Sequence, residues 1–194
     1  TAIGRQLKNE MIFTKGAQLG DAVIMTKSAA IEGTSILAHD LEDKLLGKVN
    51  KETIKSAKEF SKRISVVKEG VIAGNFGVTS MHDVTEGGIL GALWELAEAS
   101  GLGIDVFEEN IAIEPETLEI CRALSIDPLK LISSGVMLIT VSRDRKDDLL
   151  NLFKDNDIVS REIGIMTEAE RRIISPNTIR DLEATAEDEL YKVI

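Results

Sequence analysis

The chain of 194 residues has one cysteine, three prolines and no long apolar run. The lone Cys121 excludes an intramolecular disulfide framework and a multi-cysteine zinc site, and it agrees with a reducing compartment, so the cytoplasm is the expected location. Pro115, Pro128 and Pro176 stand apart from one another. No Ser/Gly/Pro-rich stretch separates segments as a flexible linker would, which predicts no internal domain boundary. No apolar stretch approaches the ~18 residues of a membrane span, and the opening TAIGRQLKNE lacks a basic-then-apolar leader pattern, so no membrane association is expected. Positive charge is short: 23 Lys plus Arg face 33 Asp plus Glu, and the net charge of -10 argues against nucleic acid or anionic lipid as partner. The two histidines, His39 and His82, are far apart with no Cys beside them, which gives a transition-metal site little support. Neither Gly-x-x-x-x-Gly-Lys-Ser/Thr nor Gly-x-Gly-x-x-Gly opens any helix, so P-loop and Rossmann readings fail.

With 43% hydrophobic and 29% charged residues, the composition is that of an ordinary folded domain. Asp21 to Thr26 reads as a short buried strand after a Lys15 to Gly20 turn. Ile36, Leu37, Leu41 and Leu45 recur at helical spacing between Ile31 and Leu46, and a second helix starts near Lys51 with Ile54, Ala57, Phe60 and Ile64 as its stripe. Val71 to Ser80 mixes apolar residues with two glycines, which predicts a loop and a short strand. Leu90, Leu93, Trp94 and Ala97 share one face of a helix that Gly101 should end. Strands are predicted at 104–107, 136–141, 158–166 and 172–174, and helical patterns near 116–124 and 145–154. Val136 to Val141 is apolar on both faces and should be central. The expected fold is mixed α+β, a mixed β-sheet packed with helices.

One segment could carry chemistry: Met81-His82-Asp83-Val84-Thr85-Glu86-Gly87-Gly88. A Gly-Gly turn opening a helix can set bare N–H groups and the helix dipole against a phosphate. Asp83 could then hold a Mg²⁺ water or orient a substrate hydroxyl, and Thr85 could bond a phosphate oxygen. The same spacing also fits Asp83 as a helix cap with Glu86 three residues on. His82 reads as a proton carrier beside Asp83 or, more simply, as a structural histidine. Glu32-Gly33-Thr34 reads as a phosphate or turn element or, more simply, as a helix cap, Ile132-Ser133-Ser134-Gly135 as a turn or a pocket wall, the Glu183 to Glu189 run as a solvated helix face, and Asp181 to Ile194 as a docked helix or a frayed tail. Cys121, between Leu118 and Leu124, reads as a buried apolar residue.

In their order, Gly20-Asp21-Ala-Val-Ile-Met-Thr-Lys, Ile31-Glu32-Gly33-Thr34-Ser-Ile-Leu-Ala, Met81 to Leu93 and Ile132-Ser-Ser-Gly135 resemble the C-terminal domain of aminoimidazole ribonucleotide synthetase-related proteins. The hydrogenase expression/formation protein E branch is the one most resembled. Selenophosphate synthetase, thiamine monophosphate kinase and formylglycinamidine ribonucleotide amidotransferase belong to the same superfamily. The resemblance implies that residues 17–194 are the C-terminal domain of an ATP-dependent enzyme, and residues 1–16 a connector from an N-terminal ATP-binding domain. That domain would be its partner, would supply most Mg-ATP ligands and would form the homodimer. The resemblance carries Asp83 over as catalytic and Thr85, Gly87 and Gly88 as cofactor-binding, with ATP and Mg²⁺ expected for the full-length protein. The implied chemistry is phosphoryl activation of an amide or carbonyl oxygen. The alternative is a non-catalytic scaffold module of the same fold in a maturation complex.

Two departures bear on this. The hydrogenase maturation factors end in a Cys that receives a carbamoyl group, whereas this sequence ends Glu189-Leu-Tyr-Lys-Val-Ile194, so that self-modification is not expected of it. Ser28-Ala29-Ala30 stands where a more Gly-rich turn would be expected before Ile31.

Overall fold

A computed structural model describes residues 11–194. The first ten residues of the expected 1–16 connector lie outside the described residues. Strands β1 (Ala22–Thr26), β2 (Ser80–Asp83), β3 (Gly103–Phe107), β4 (Met137–Val141), β5 (Ser160–Thr167), β6 (Arg171–Ser175) and β7 (Thr178–Asp181) form one sheet in the order β2-β4-β1-β5-β3-β6-β7. Neighbouring strands run antiparallel except β3 and β6, which are parallel. The helices are α1 (Ile31–Asp40), α2 (Glu42–Leu45), α3 (Lys51–Lys58), α4 (Val67–Phe76), α5 (Gly88–Ser100), α6 (Pro115–Leu124) and α7 (Lys146–Asp155). None is long and apolar enough to cross a membrane among the described residues.

The period-two alternation of the strands explains the layers. Val23 and Met25 of β1 join a core with Ile89, Leu93 and Leu96 of α5. Ala22 and Ile24 point the other way, toward Ala73 of α4 and Leu149 and Phe153 of α7. The sheet is therefore covered on both faces, and all five residues of β4 are buried, as its unbroken apolar run requires. A separate cluster joins α1, α3 and α6 through Leu37, Ala38, Ile54, Ala57 and Ile120, and it contains Cys121.

Four local expectations change. The stretch expected as one helix from Ile31 to Leu46 bends at Leu41 (φ -114°, ψ 22°), which turns the short α2 so that Leu45 is fully buried. The expected loop at 71–77 is instead the second half of α4, which runs through Gly70 and Gly74 and ends at Gly77 in the left-handed region. Each interior glycine costs about 1 kcal/mol relative to alanine, and burial of Ala73 with the docking of Ile72 and Phe76 offsets that cost. Strand β7 lacked any sequence signal because all four of its residues are exposed. The acidic run from Glu183 is irregular chain up to Asp188 rather than a helix face, Glu189 opens a short 3-10 turn, and Asp188 and Glu189 are buried.

The three neighbouring strands β1, β4 and β2 define one end of the sheet. β2 ends at Asp83 opposite Met137, where β4 begins. β1 ends beside them at Thr26, whose Oγ1 accepts the Met137 N–H at 3.0 Å. The segments that follow or precede these termini, 27–33, 84–88 and 129–136, therefore leave the sheet at the same end.

Candidate functional site at one end of the sheet

Backbone hydrogen bonds knit these three segments together. Gly33 N–H donates to Ile132 O at 3.1 Å, Ser133 N–H to Thr85 O at 3.2 Å, Val84 N–H to Val136 O at 3.0 Å and Leu90 N–H to Leu129 O at 3.1 Å. Side chains reinforce them: Ser133 Oγ accepts the Ala30 N–H at 2.6 Å, and a Glu32 carboxylate oxygen accepts the Ser134 N–H at 3.1 Å. Ala30 is held at φ 59°, a left-handed conformation that an alanine adopts only under such constraint. Glu32-Gly33-Thr34, Asp83 to Gly88 and Ile132 to Gly135, separate in the sequence, thus form one assembly. Ser133 carries the 133–136 turn through its O···H–N contact to Val136 at 3.3 Å and also lines the assembly.

Within that assembly Asp83 and Thr85 are exposed, and neither side chain makes a hydrogen bond among the described residues. Asp83 closes a strand and does not cap a helix; the cap position of α5 belongs to Gly87, at φ 77°. The Gly87 N–H is engaged by Asp188, whose Oδ2 accepts it at 2.7 Å. Oδ1 of the same carboxylate accepts Ile132 N–H at 3.2 Å and Leu190 N–H at 2.8 Å. A carboxylate at a helix start with several N–H donors is an anion in a favourable field. Sequence reasoning missed Asp188; the apolar Leu190, buried beside it, was the available sign that this acidic run docks.

Gly88 has φ 65° and donates its N–H to Thr85 O at 3.3 Å. A Cβ there would lie 2.6 Å from Leu129 O and 2.8 Å from Leu131 O, so the second glycine of the pair is what lets the 129–131 segment lie against the start of α5.

The histidine beside Asp83 points elsewhere, since successive strand residues face opposite sides. His82 Nε2 lies 2.9 Å from Glu95 Oε2 on α5, so no His82–Asp83 proton pair forms. Cys121 is 1% exposed, and burial pushes its thiol up to about 12. Its helix neighbour Leu118, expected to share its face, is exposed.

A basic group lies just behind Thr26. Lys27 Nζ donates to Arg63 O at 3.1 Å, Ser65 O at 2.7 Å and Glu69 Oε1 at 2.8 Å. Arg63 pairs with Glu114 at 2.7 Å, and the Ser28 hydroxyl donates to the same carboxylate at 3.0 Å. Burial would push the Glu114 carboxyl up, but these hydrogen bonds outweigh it and hold it below the usual carboxylate range. The adjoining cavity of about 410 Å³ is thus lined by cations already matched by internal acceptors. Among the described residues no three His, Cys, Asp or Glu side chains gather as a metal would need.

The sequence is similar to known proteins over most of its length. The hydrogenase expression/formation protein MJ0676 of Methanocaldococcus jannaschii, a putative assignment in its own name, is 28% identical over 174 residues, 89% of this chain and 50% of that protein. The carbamoyl dehydratase HypE of Rhizobium leguminosarum bv. viciae is 30% identical over 136 residues, 69% of this chain and 36% of that protein. The chain therefore spans half or less of the curated relatives it matches. The crystal structure of hydrogenase maturation protein HypE in complex with ATP superposes with a TM-score of 0.70 at 18% identity, covering 94% of this chain and 56% of that one, which shows a shared fold. The family described as AIR synthase related protein, C-terminal domain, matches residues 18–175, and the chain belongs to it.

Proposed function

We propose that this chain is the C-terminal part of an ATP-dependent enzyme and supplies one wall of an interdomain site where an amide or carbonyl oxygen is activated by phosphoryl transfer. The observation that carries the reading is the convergence of 27–33, 84–88 and 129–136 at one end of the sheet, with the carboxylate of Asp83 and the hydroxyl of Thr85 open beside them. The ATP in one structural neighbour and the carbamoyl dehydratase name of one relative support the same chemistry. Removing an amide oxygen requires turning it into a leaving group, and a phosphoryl group from ATP, with Mg²⁺, would supply that.

Tested against this wall, the fit to Mg-ATP is partial in kind. Asp83 could hold a metal-bound water and Thr85 a phosphate oxygen. The Gly87 N–H would meet phosphate only in exchange for Asp188. Gly88 would act through the turn it permits. The remaining ligands, the homodimer contact and the bulk of the nucleotide site would belong to an N-terminal domain. Catalysis by such a wall is positioning and electrostatic stabilisation of developing charge.

A second reading is a binding module that keeps the fold without the chemistry, and the Asp188 carboxylate at the start of α5 favours it. The two separate in the complete gene product that contains this chain. Asp83→Asn should lower ATP-dependent turnover at least about tenfold, equivalent to about 1.4 kcal/mol of barrier, with an unchanged melting temperature because Asp83 is exposed and unbonded. Unchanged turnover would remove Asp83 from the mechanism, and no turnover in the wild type would select the module.

A further inference from the structure

The only tryptophan and the only tyrosine of the chain, Trp94 and Tyr191, line the same cavity of about 520 Å³. It lies along the first turns of α5 and meets the proposed enzyme wall at Gly87 and Asp188, which line it as well, but that reading assigns no role to its aromatic and glutamate side chains. Glu86, Glu95 and Glu187 also line it, over a floor that includes Gly91, and no Lys, Arg or His side chain does. Glu95 is shared with His82. Glu86 and Glu187 form no ion pair among the described residues.

Aromatic faces carry negative potential that attracts cations, and carboxylates in a partly closed space add to it. The chain already uses this chemistry on the same ring: the Arg171 guanidinium stands 5.2 Å from the Trp94 centroid and pairs with Glu98 at 2.6 Å. A second observation concerns hydrogen bonding. Thr185, in the wall of the cavity, has a hydroxyl oxygen that is buried and has no partner among the described residues. Buried polar atoms are nearly always matched, so this hydroxyl, which can accept as well as donate, has an unused hydrogen bond beside an acidic, aromatic space.

We propose that this cavity binds an organic cation bearing N–H donors, an alkylammonium or guanidinium group, with Trp94 and Tyr191 against its apolar stem and Glu86 and Glu187 around its charge. The cation could be a free small molecule or a basic side chain of another polypeptide segment; the recognition chemistry is the same.

Trp94, as the sole tryptophan, is the reporter. Its emission is followed while n-butylammonium and n-butylguanidinium chloride are titrated into the protein, with n-butanol and NaCl as matched controls. A saturable change with the cations and none with the controls is expected. The double variant Glu86→Gln, Glu187→Gln should weaken it at least tenfold while leaving the circular dichroism unchanged, since both side chains are exposed. A Gly/Ser hexapeptide with one central arginine then separates the sources: tighter binding than n-butylguanidinium assigns a polypeptide segment, equal or weaker binding a free small cation. An equal response to n-butanol, a response that NaCl reproduces, no saturation, or full binding by the double variant would each overturn the proposal.

Discussion

The carboxylate of Asp188 receives the Gly87 N–H at 2.7 Å, so the anion at the start of α5 belongs to the chain itself. Because its other oxygen takes the Ile132 N–H, one side chain ties the C-terminal segment to two of the three segments at the end of the sheet. Asp188→Ala leaves three donors, the Gly87, Ile132 and Leu190 N–H groups, without their acceptor. Hydrogen bonds to charged groups contribute about 1.5–3 kcal/mol each, so a loss of at least about 3 kcal/mol is expected, read as a lower urea midpoint at constant slope. Asp188→Asn, which keeps one carbonyl oxygen, should lose about half as much. If Gly87 lies on the phosphate side of the proposed site, inorganic phosphate should raise the melting temperature of Asp188→Ala more than that of the wild type. Equal shifts would take Gly87 out of that role.

Gly88 and Gly101 flank α5 at the same φ of 65°, but only Gly88 is crowded. A Cβ at Gly101 meets nothing within 4 Å, whereas at Gly88 it meets backbone oxygens of 129–131. Gly101→Ala should therefore cost only the left-handed strain, about 1–2 kcal/mol. Gly88→Ala carries the same strain plus a clash with backbone that cannot move aside, and should cost at least about 2 kcal/mol more, of the order seen for overpacking. Denaturant titration of the two variants measures the difference, and equal losses would mean that the 129–131 segment is not held against α5.

What could be read from the sequence was set by local pattern. The central strand at 137–141 and the helix ending at Gly101 announce themselves through unbroken apolarity and 3.6-residue spacing, and the fold class follows from their order. Asp83 and Thr85 were legible as candidates because a Gly-Gly pair follows them. The place of Asp83 at the end of a strand was not, since Ser80 to Asp83 is a short, largely polar strand that looks like a helix entry. α4 was hidden because Gly70 and Gly74 argue locally against a helix that packing stabilises. What Asp188 binds was illegible for a different reason: Leu190 hints that the run docks, but the partners Gly87 and Ile132 are 101 and 56 residues away from Asp188, beyond the reach of any local rule.

Cys121 offers a check on the cluster formed by α1, α3 and α6. Thiolate is the reactive form, and a thiol pushed up to about 12 and 1% exposed presents almost none of it at pH 8. An aromatic disulfide reagent should fail to label the native protein within minutes at pH 8 and label one thiol per chain in denaturing urea. Rapid native labelling would mean that α6 opens readily from its neighbours.

Acid should loosen the β6–β7 edge through Glu108. The Ser175 hydroxyl donates to this carboxylate and outweighs the opposing effect of burial, and Arg180 adds a hydrogen bond at 2.7 Å, so its carboxyl is held below the usual range. A carboxyl lowered on folding contributes stability that is fully present above its unfolded value of about 4.3 and is lost as pH falls through the folded value. Glu108→Gln should therefore be less stable than the wild type by about 0.5–1 kcal/mol at pH 7, the range for partly exposed pairs. Once the pH has fallen through the folded value, where the wild-type carboxyl is protonated as well, the two melting temperatures should converge. Convergence is the decisive part, because a variant equally destabilised at both pH values would show that Glu108 holds the edge through packing rather than charge.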